Sequence, residues 1–200
     1  NPACVLPCLR TTLIQLLAEM DAVDDGRTEG GSARLLGVLI RSAPRLAKPY
    51  VAPVLEALIR RLEHPAGCSS AVAASGLGAI GELSVVGSAL VKEKAEKLFR
   101  LAIDGLQDQS STLKRQIALR TLGQLVESTG NVMQPYFDHP HLMSTLLNAL
   151  RSEPSWDIRR EVIKLIGILG AVDPHRHAVT AATEDPDTKQ QSSESSGKGR

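Results

Sequence analysis

A glycine stands inside an apolar helical pattern four times in this chain, always as Leu/Ile-Gly-x-Leu: LGVL at 36–39, IGEL at 80–83, LGQL at 122–125 and IGIL at 166–169. The glycines are Gly37, Gly81, Gly123 and Gly167, separated by 44, 42 and 44 residues. Around Gly123, the residues Leu119, Leu122, Leu125 and Val126 fall at the three- and four-residue steps of an amphipathic helix. A glycine inside such a helix costs about 1 kcal/mol relative to alanine. One case would be an accident. Four at near-constant spacing are a repeat, which restricts the chain to stacked copies of one helical unit.

The register extends beyond the four letters. Four residues before each glycine stand Ala33, Leu77, Leu119 and Ile163, and two after stand Leu39, Leu83, Leu125 and Leu169. These positions share one face of a first helix. Twelve residues after Gly37 and Gly123 comes the same dipeptide, Pro49-Tyr50 and Pro135-Tyr136, which predicts the end of the first helix and a turn. Second helices follow in VAPVLEALIRRLEH from Val51, KAEKLFRLAIDGLQD from Lys94 and HLMSTLLNALRSE from His141. The opening NPACVLPCLRTTLIQLLAEM reads as the second helix of a preceding unit, so the sequence has the look of a piece beginning inside a repeat. Breaker-rich turns (DDGRTEGGS, HPAGCSS, DQSS, SEPSWD) separate the units, with Ser32, Ser110 or Ser111, and Asp157 as expected N-caps.

A period of about 40 to 47 residues in a helical chain is the signature of HEAT or armadillo arrays. The expected fold is therefore an all-α solenoid of about four helix pairs over 1–178. Its units run roughly 1–22 (partial), 30–65, 70–109, 112–153 and 156–178 (partial). Residues 179–200 lack apolar periodicity and are rich in Ser, Glu and Lys, so they are expected to be disordered. The glycines are expected to let two helix backbones approach closely, with tight packing offsetting the lost propensity.

Composition narrows the function. Apolar residues make up 42% of the chain but aromatics only 2%, so the core must be aliphatic. With 23 basic and 22 acidic residues, charge gives no reason to expect nucleic acid or an anionic membrane as partner. No apolar run approaches the roughly 20 residues needed to span a bilayer. Cys4, Cys8 and Cys68 are too few for a disulfide framework and fit a reducing compartment.

No constellation for chemistry stands out. The pairs His139/His141 and His175/His177 lack further ligands at zinc spacing. Gly76, Gly78 and Gly81 fit G-x-G-x-x-G, but no strand precedes them and the helical register already accounts for Gly81. No G-x-S-x-G, H-R-D or D-F-G occurs. Catalytic, cofactor and metal residues are therefore expected to be absent from this stretch. Two basic pairs, Lys114-Arg115 and Arg159-Arg160, begin the first helices of the third and fourth units. They are expected to ladder with acids of nearby turns, Asp108 and Asp157; the alternative is a ridge that meets an acidic partner.

The stretches SARLLGVLIRSAPRLAKPYVAPVLEALIRRL, AIGELSVVG, LQDQSSTLKRQIALRTLGQLVESTGNVMQPY and RREVIKLIGILGAVDPHRH resemble the helical-repeat region of the TOR protein kinases. The resemblance covers residues 1 to about 178. TLGQLVESTG and LGAVDPHRH carry it most specifically, while HPAGCSS, AVAASG, DDGRTEGG and SALVKEKAEKLFRL depart from it. The resemblance implies a scaffold segment of a serine/threonine kinase in nutrient and growth signalling. The catalytic domain, with its ATP and Mg, would lie elsewhere in the parent chain. It further implies Raptor-type or Rictor-type subunits and a second TOR protomer as partners, with a cytoplasmic or endomembrane location such as lysosome or vacuole. The alternative is a free-standing HEAT-repeat adaptor of the transport-receptor or phosphatase-scaffold type.

Overall fold

The computed structural model describes residues 2–21, 29–64, 69–132 and 134–169, and every regular element among them is a helix. In chain order these are α1 (Pro2–Asp21), α2 (Glu29–Ser42), α3 (Pro44–Ala47, continued by a 3-10 turn Lys48–Tyr50) and α4 (Val51–Glu63). Then follow α5 (Ser70–Val86), α6 (Ser88–Glu93), α7 (Ala95–Gln107) and α8 (Thr112–Thr129). The last are α9 (Gln134–Asp138), α10 (Leu142–Ser152) and α11 (Trp156–Leu169). The expected tail, 179–200, lies outside the described residues.

The repeat is helical as expected, but its internal plan is finer than a helix pair. Where Pro49-Tyr50 and Pro135-Tyr136 predicted a bare turn, each unit inserts a short helix: α3, α6 and α9. Proline is at home there, because a helix's first residues have no intrahelical acceptor for their N–H. Pro44 opens α3 in that way. The long helices also pair differently from the expected units. Helix α4 packs on α5, α7 on α8 and α10 on α11, each across a short inter-unit turn, while α2 makes no comparable contact with α4. The recurring group is thus short helix, long helix, long helix, the three-helix variant of such arrays.

The most extensive packing runs through the first helices, α2 on α5 and α5 on α8, and continues with α8 on α11. Their sequences explain the arrangement. Helix α5, SAVAASGLGAIGELSVV, is apolar nearly all round and carries mostly small side chains. Such a helix must be covered on several sides, and α5 is flanked by α2, α8 and α4. Helices α4 and α7 are amphipathic, with Leu55, Leu58, Leu98 and Phe99 facing inward. The core is one aliphatic cluster from Leu9 to Leu169 with Phe99 as its one fully buried aromatic among the described residues. Each fully buried Leu or Ile contributes about 1.5–3 kcal/mol of transfer free energy.

The glycines occupy related but unequal places. A methyl group at Gly37 would lie 3.5 Å from Ala79 Cα, so α2 passes directly over the α5 backbone. At Gly81 it would collide with the Gln124 amide and lie 3.2 Å from Thr121 Oγ1. The gap there admits the Thr121 hydroxyl, which donates to Leu77 O at 2.9 Å, a buried hydrogen bond between α8 and α5. At Gly123 the nearest neighbour is the flexible tip of Ile168, 3.3 Å away. Gly167 faces nothing within 4 Å among the described residues. Backbone-to-backbone approach, expected at all four, is therefore confined to Gly37; Gly81 and Gly123 receive side chains instead.

Two further glycines matter that the repeat pattern did not mark. At Gly105 on α7 a methyl would lie 2.8 Å from Leu77 Cδ1 and 3.2 Å from Ala118 Cβ, which has no rotamer to escape into. At Gly87, between α5 and α6, it would run into Val51. Helix ends add smaller terms. Ser69 and Ser111 accept from Val72 N and Lys114 N as N-caps of α5 and α8. Ser32 and Asp157, expected as caps, lie inside α2 and α11. Gly130 closes α8 at φ +70, donating its N–H to Val126 O at 2.9 Å, a conformation that glycine adopts without penalty.

Gly105→Ala gains about 1 kcal/mol of helix propensity but overpacks the α7–α8 crossing by about 1–3 kcal/mol, so it lowers the melting temperature. Gly167→Ala, with open space around it, raises stability by up to about 1 kcal/mol. Thermal melts followed by circular dichroism check both; a stabilised Gly105→Ala chain would mean that α7 and α8 do not cross there.

Candidate interaction surface

Gly76, Gly78 and Gly81 lie mid-helix in α5, where their N–H groups point along the helix and cannot cradle a phosphate. No group of three or more His, Cys, Asp or Glu residues among the described ones could hold a metal ion. His175 and His177 lie outside the described residues. No described helix is long and apolar enough to cross a membrane.

What the elements do build is polar ties between turns. The Asp108 carboxylate, at the end of α7, accepts from Ser110 N at 2.9 Å, Ser110 Oγ at 2.6 Å and Lys114 Nζ at 2.8 Å. Ser70 Oγ, at the start of α5, donates to it at 3.4 Å. The Lys114 ammonium and the Ser110 donors hold the Asp108 carboxyl well below the usual carboxylate range. One residue on, Arg115 reaches two turns at once. Its Nη1 donates to Asp108 O and Gln109 O, both at 3.2 Å, and its Nη2 to Glu153 Oε1 at 2.8 Å. Only 10% of the Arg115 side chain and 12% of Glu153's remain exposed. The planar guanidinium fork suits this three-way contact; an ammonium could not span it.

The second basic pair sits differently. Arg159 lies over the Trp156 ring, 5.7 Å from its centroid, and Arg160 pairs with Asp157 at 3.6 Å and Glu161 at 3.7 Å on its own helix. The structure thus brings Lys114 to Asp108 across the turn between α7 and α8, keeps Arg160 with Asp157 on α11, and carries Arg115 on to Glu153 at the end of α10. A separate ladder joins α4 to α7: Lys94–Glu56 at 3.3 Å, with Lys97 and Arg100 both 3.4 Å from Glu63. These partners are more than 30 residues apart in sequence, so no local spacing announces them. Between α7 and α9, burial raises the Tyr136 phenol above its ordinary value, and its hydroxyl has no partner among the described residues.

A groove of about 680 Å³ lies across the first helices. Its floor is the small-residue face of α5, including Ala71, Ser75 and Gly78; α2 and α8 form the walls. Val38 and Leu113, on opposite walls, are exposed apolar side chains. Arg34 and Arg41 from α2 and Arg120 from α8 line the same groove. The one carboxylate among its described lining residues, Glu82, is bracketed by Arg41 at 3.6 Å and Arg120 at 3.7 Å.

Comparison with known proteins places the chain in a family. A profile described as "Serine/threonine-protein kinase mTOR domain" matches residues 132–198. The chain is 46% identical over 179 residues to "Serine/threonine-protein kinase TOR" of Oryza sativa subsp. japonica, an alignment covering 88% of the chain and 7% of that protein. It is 42% identical over 185 residues to "Serine/threonine-protein kinase TOR2" of Saccharomyces cerevisiae, covering 92% of the chain and 7% of the relative. "Serine/threonine-protein kinase mTor" of Drosophila melanogaster is 39% identical over 187 residues, covering 92% of the chain and 8% of that kinase. The chain therefore spans under a tenth of the length of these relatives.

Arg115→Ala leaves Glu153 and two turn carbonyls without their donor, which costs about 2–4 kcal/mol of stability; Arg115→Lys recovers less than half of it, as read from urea unfolding. Asp108, its folded pKa depressed, contributes stability that is present above its unfolded value of about 4 and lost as pH falls below it. Asp108→Asn lowers stability at pH 7 and flattens the pH dependence between about 4 and 2; an unchanged acid slope would show that the carboxylate's partners do not matter.

Proposed function

Given that this chain is a segment of the TOR family of serine/threonine protein kinases, we propose that it is a non-catalytic scaffold segment on which the parent kinase assembles its complex. The observation that carries this reading is the stacked α2–α5–α8–α11 array itself. It is a continuous helical surface, and among the described residues no group of three or more His, Cys, Asp or Glu could hold a metal ion. Repeat arrays act by shape: each unit buries one face against its neighbours and leaves another for partners. In this reading the kinase chemistry, with ATP and Mg, belongs to another part of the parent chain. The array positions Raptor-type or Rictor-type subunits and a second protomer, in nutrient and growth signalling in the cytoplasm or at an endomembrane. The family membership favours this over a free-standing adaptor.

The test uses the parent kinase carrying Gly105→Leu and Thr121→Leu, which disrupt the α7–α8 and α5–α8 contacts. Co-purification of the accessory subunits should fall at least tenfold, while phosphorylation of a short peptide by the immunopurified kinase stays within about twofold. Full retention of the subunits with an unfolded array would remove the scaffold role. Phosphotransfer by the 200-residue chain alone would overturn the non-catalytic reading.

A further inference from the structure

We infer that the groove across α2, α5 and α8 is a docking site for an acidic amphipathic helix of a partner protein. The inference rests on the scaffold reading and gives it a place and a chemistry.

Three features of the groove converge on that occupant. Its floor is low because α5 presents Ala71, Ser75 and Gly78 between taller walls. A helix lying along α5 from Ala71 to Glu82 could approach closely over roughly 17 Å. Val38 and Leu113 stand 40% and 54% exposed on the two walls, so apolar side chains spaced at three and four residues would find partners on both sides. The third feature is charge. Among the described residues, Arg34, Arg41 and Arg120 line the groove against the single carboxylate of Glu82, two positive charges in excess, in a chain whose net charge is only +1. Arg34 has no carboxylate partner among the described residues. Carboxylates flanking an apolar stripe would meet Arg34 and the outer faces of Arg41 and Arg120, whereas a basic helix would be repelled. Such complementarity selects the partner and its orientation.

The probe is a fluorescein-labelled synthetic helix of about 18 residues (roughly 27 Å) with an Ala/Leu stripe flanked by Glu, alongside its Lys counterpart. Binding to the 200-residue chain is read by fluorescence anisotropy. The acidic peptide should bind, and the Lys peptide at least tenfold more weakly. Arg34→Glu with Arg41→Glu should weaken the acidic peptide at least tenfold, and Ala71→Trp, which fills one end of the floor, should also weaken it. Arg45→Glu on α3 should change nothing, and all variants should keep the parent's melting curve. The proposal is overturned by equal binding of both peptides, by no binding, or by the same loss in Arg45→Glu. Displacement by a peptide of residues 179–200 would instead assign the groove to the chain's own tail. Tighter binding to phosphatidylserine vesicles, abolished by the Arg34 and Arg41 changes, would assign it to a membrane surface. Groove substitutions leave the helical stack intact, so their failure is separable from that of the scaffold role, which the α7–α8 and α5–α8 variants test.

Discussion

Everything in this molecule depends on how closely the first helices pass one another. Helix α2 lies on α5 with only the absent side chain of Gly37 between it and Ala79, and α8 docks on α5 around Gly81. At the second crossing the missing methyl does more than save space. It lets Thr121 bring a hydroxyl to the Leu77 carbonyl inside an otherwise aliphatic interface. A buried hydroxyl without a partner would cost about 1–3 kcal/mol, so gap and hydrogen bond have to occur together. Glycine's poor helix propensity is a local loss that the close packing of neighbouring units offsets.

Aliphatic stacking of this kind is not directional, and helices sharing only Leu and Ile could slide by a turn. The polar ties at the unit edges fix the register. Ser70 reaches Asp108, and Arg115 gathers the carbonyls of one turn and the carboxylate of the next. On the other long helices, the α4–α7 ion pairs are more exposed and contribute less, at most about 1 kcal/mol each. Core and edge thus divide the labour: burial supplies the stability and the turn clamps choose the alignment. The product is a stacked helical segment that represents a small part of long TOR-family kinases.

The sequence made the repeat legible because stacking imposes the same demand in each copy. The alignment of Ala33, Leu77 and Leu119 ahead of the glycines corresponds to three fully buried positions. Their fourth counterpart, Ile163, is 52% exposed, and Gly167 faces open space among the described residues. The same letters thus meet different surroundings, because a register position says which way a residue points and not whether anything stands opposite. The short helices α3, α6 and α9 were harder to read. A proline that ends one helix can equally open another, and pieces of four to six residues carry too little periodicity to register. Gly105 was missed for a related reason, since its partners Leu77 and Ala118 come from two other helices and nothing nearby in sequence marks the crossing.

By itself the sequence determined the all-helical class, the period near 43 residues, the aliphatic core and the TOR-family resemblance. Each of these is a property of local spacing or of residue identity, repeated along the chain. Only the tertiary structure decided which long helices pair across which turn, which glycines are crowded, that Arg115 rather than Arg159 bridges two turns, and that α2, α5 and α8 enclose a cationic groove. Those outcomes depend on side chains brought together from some forty residues apart, where a change of one residue in loop length or a few degrees in crossing angle exchanges one neighbour for another.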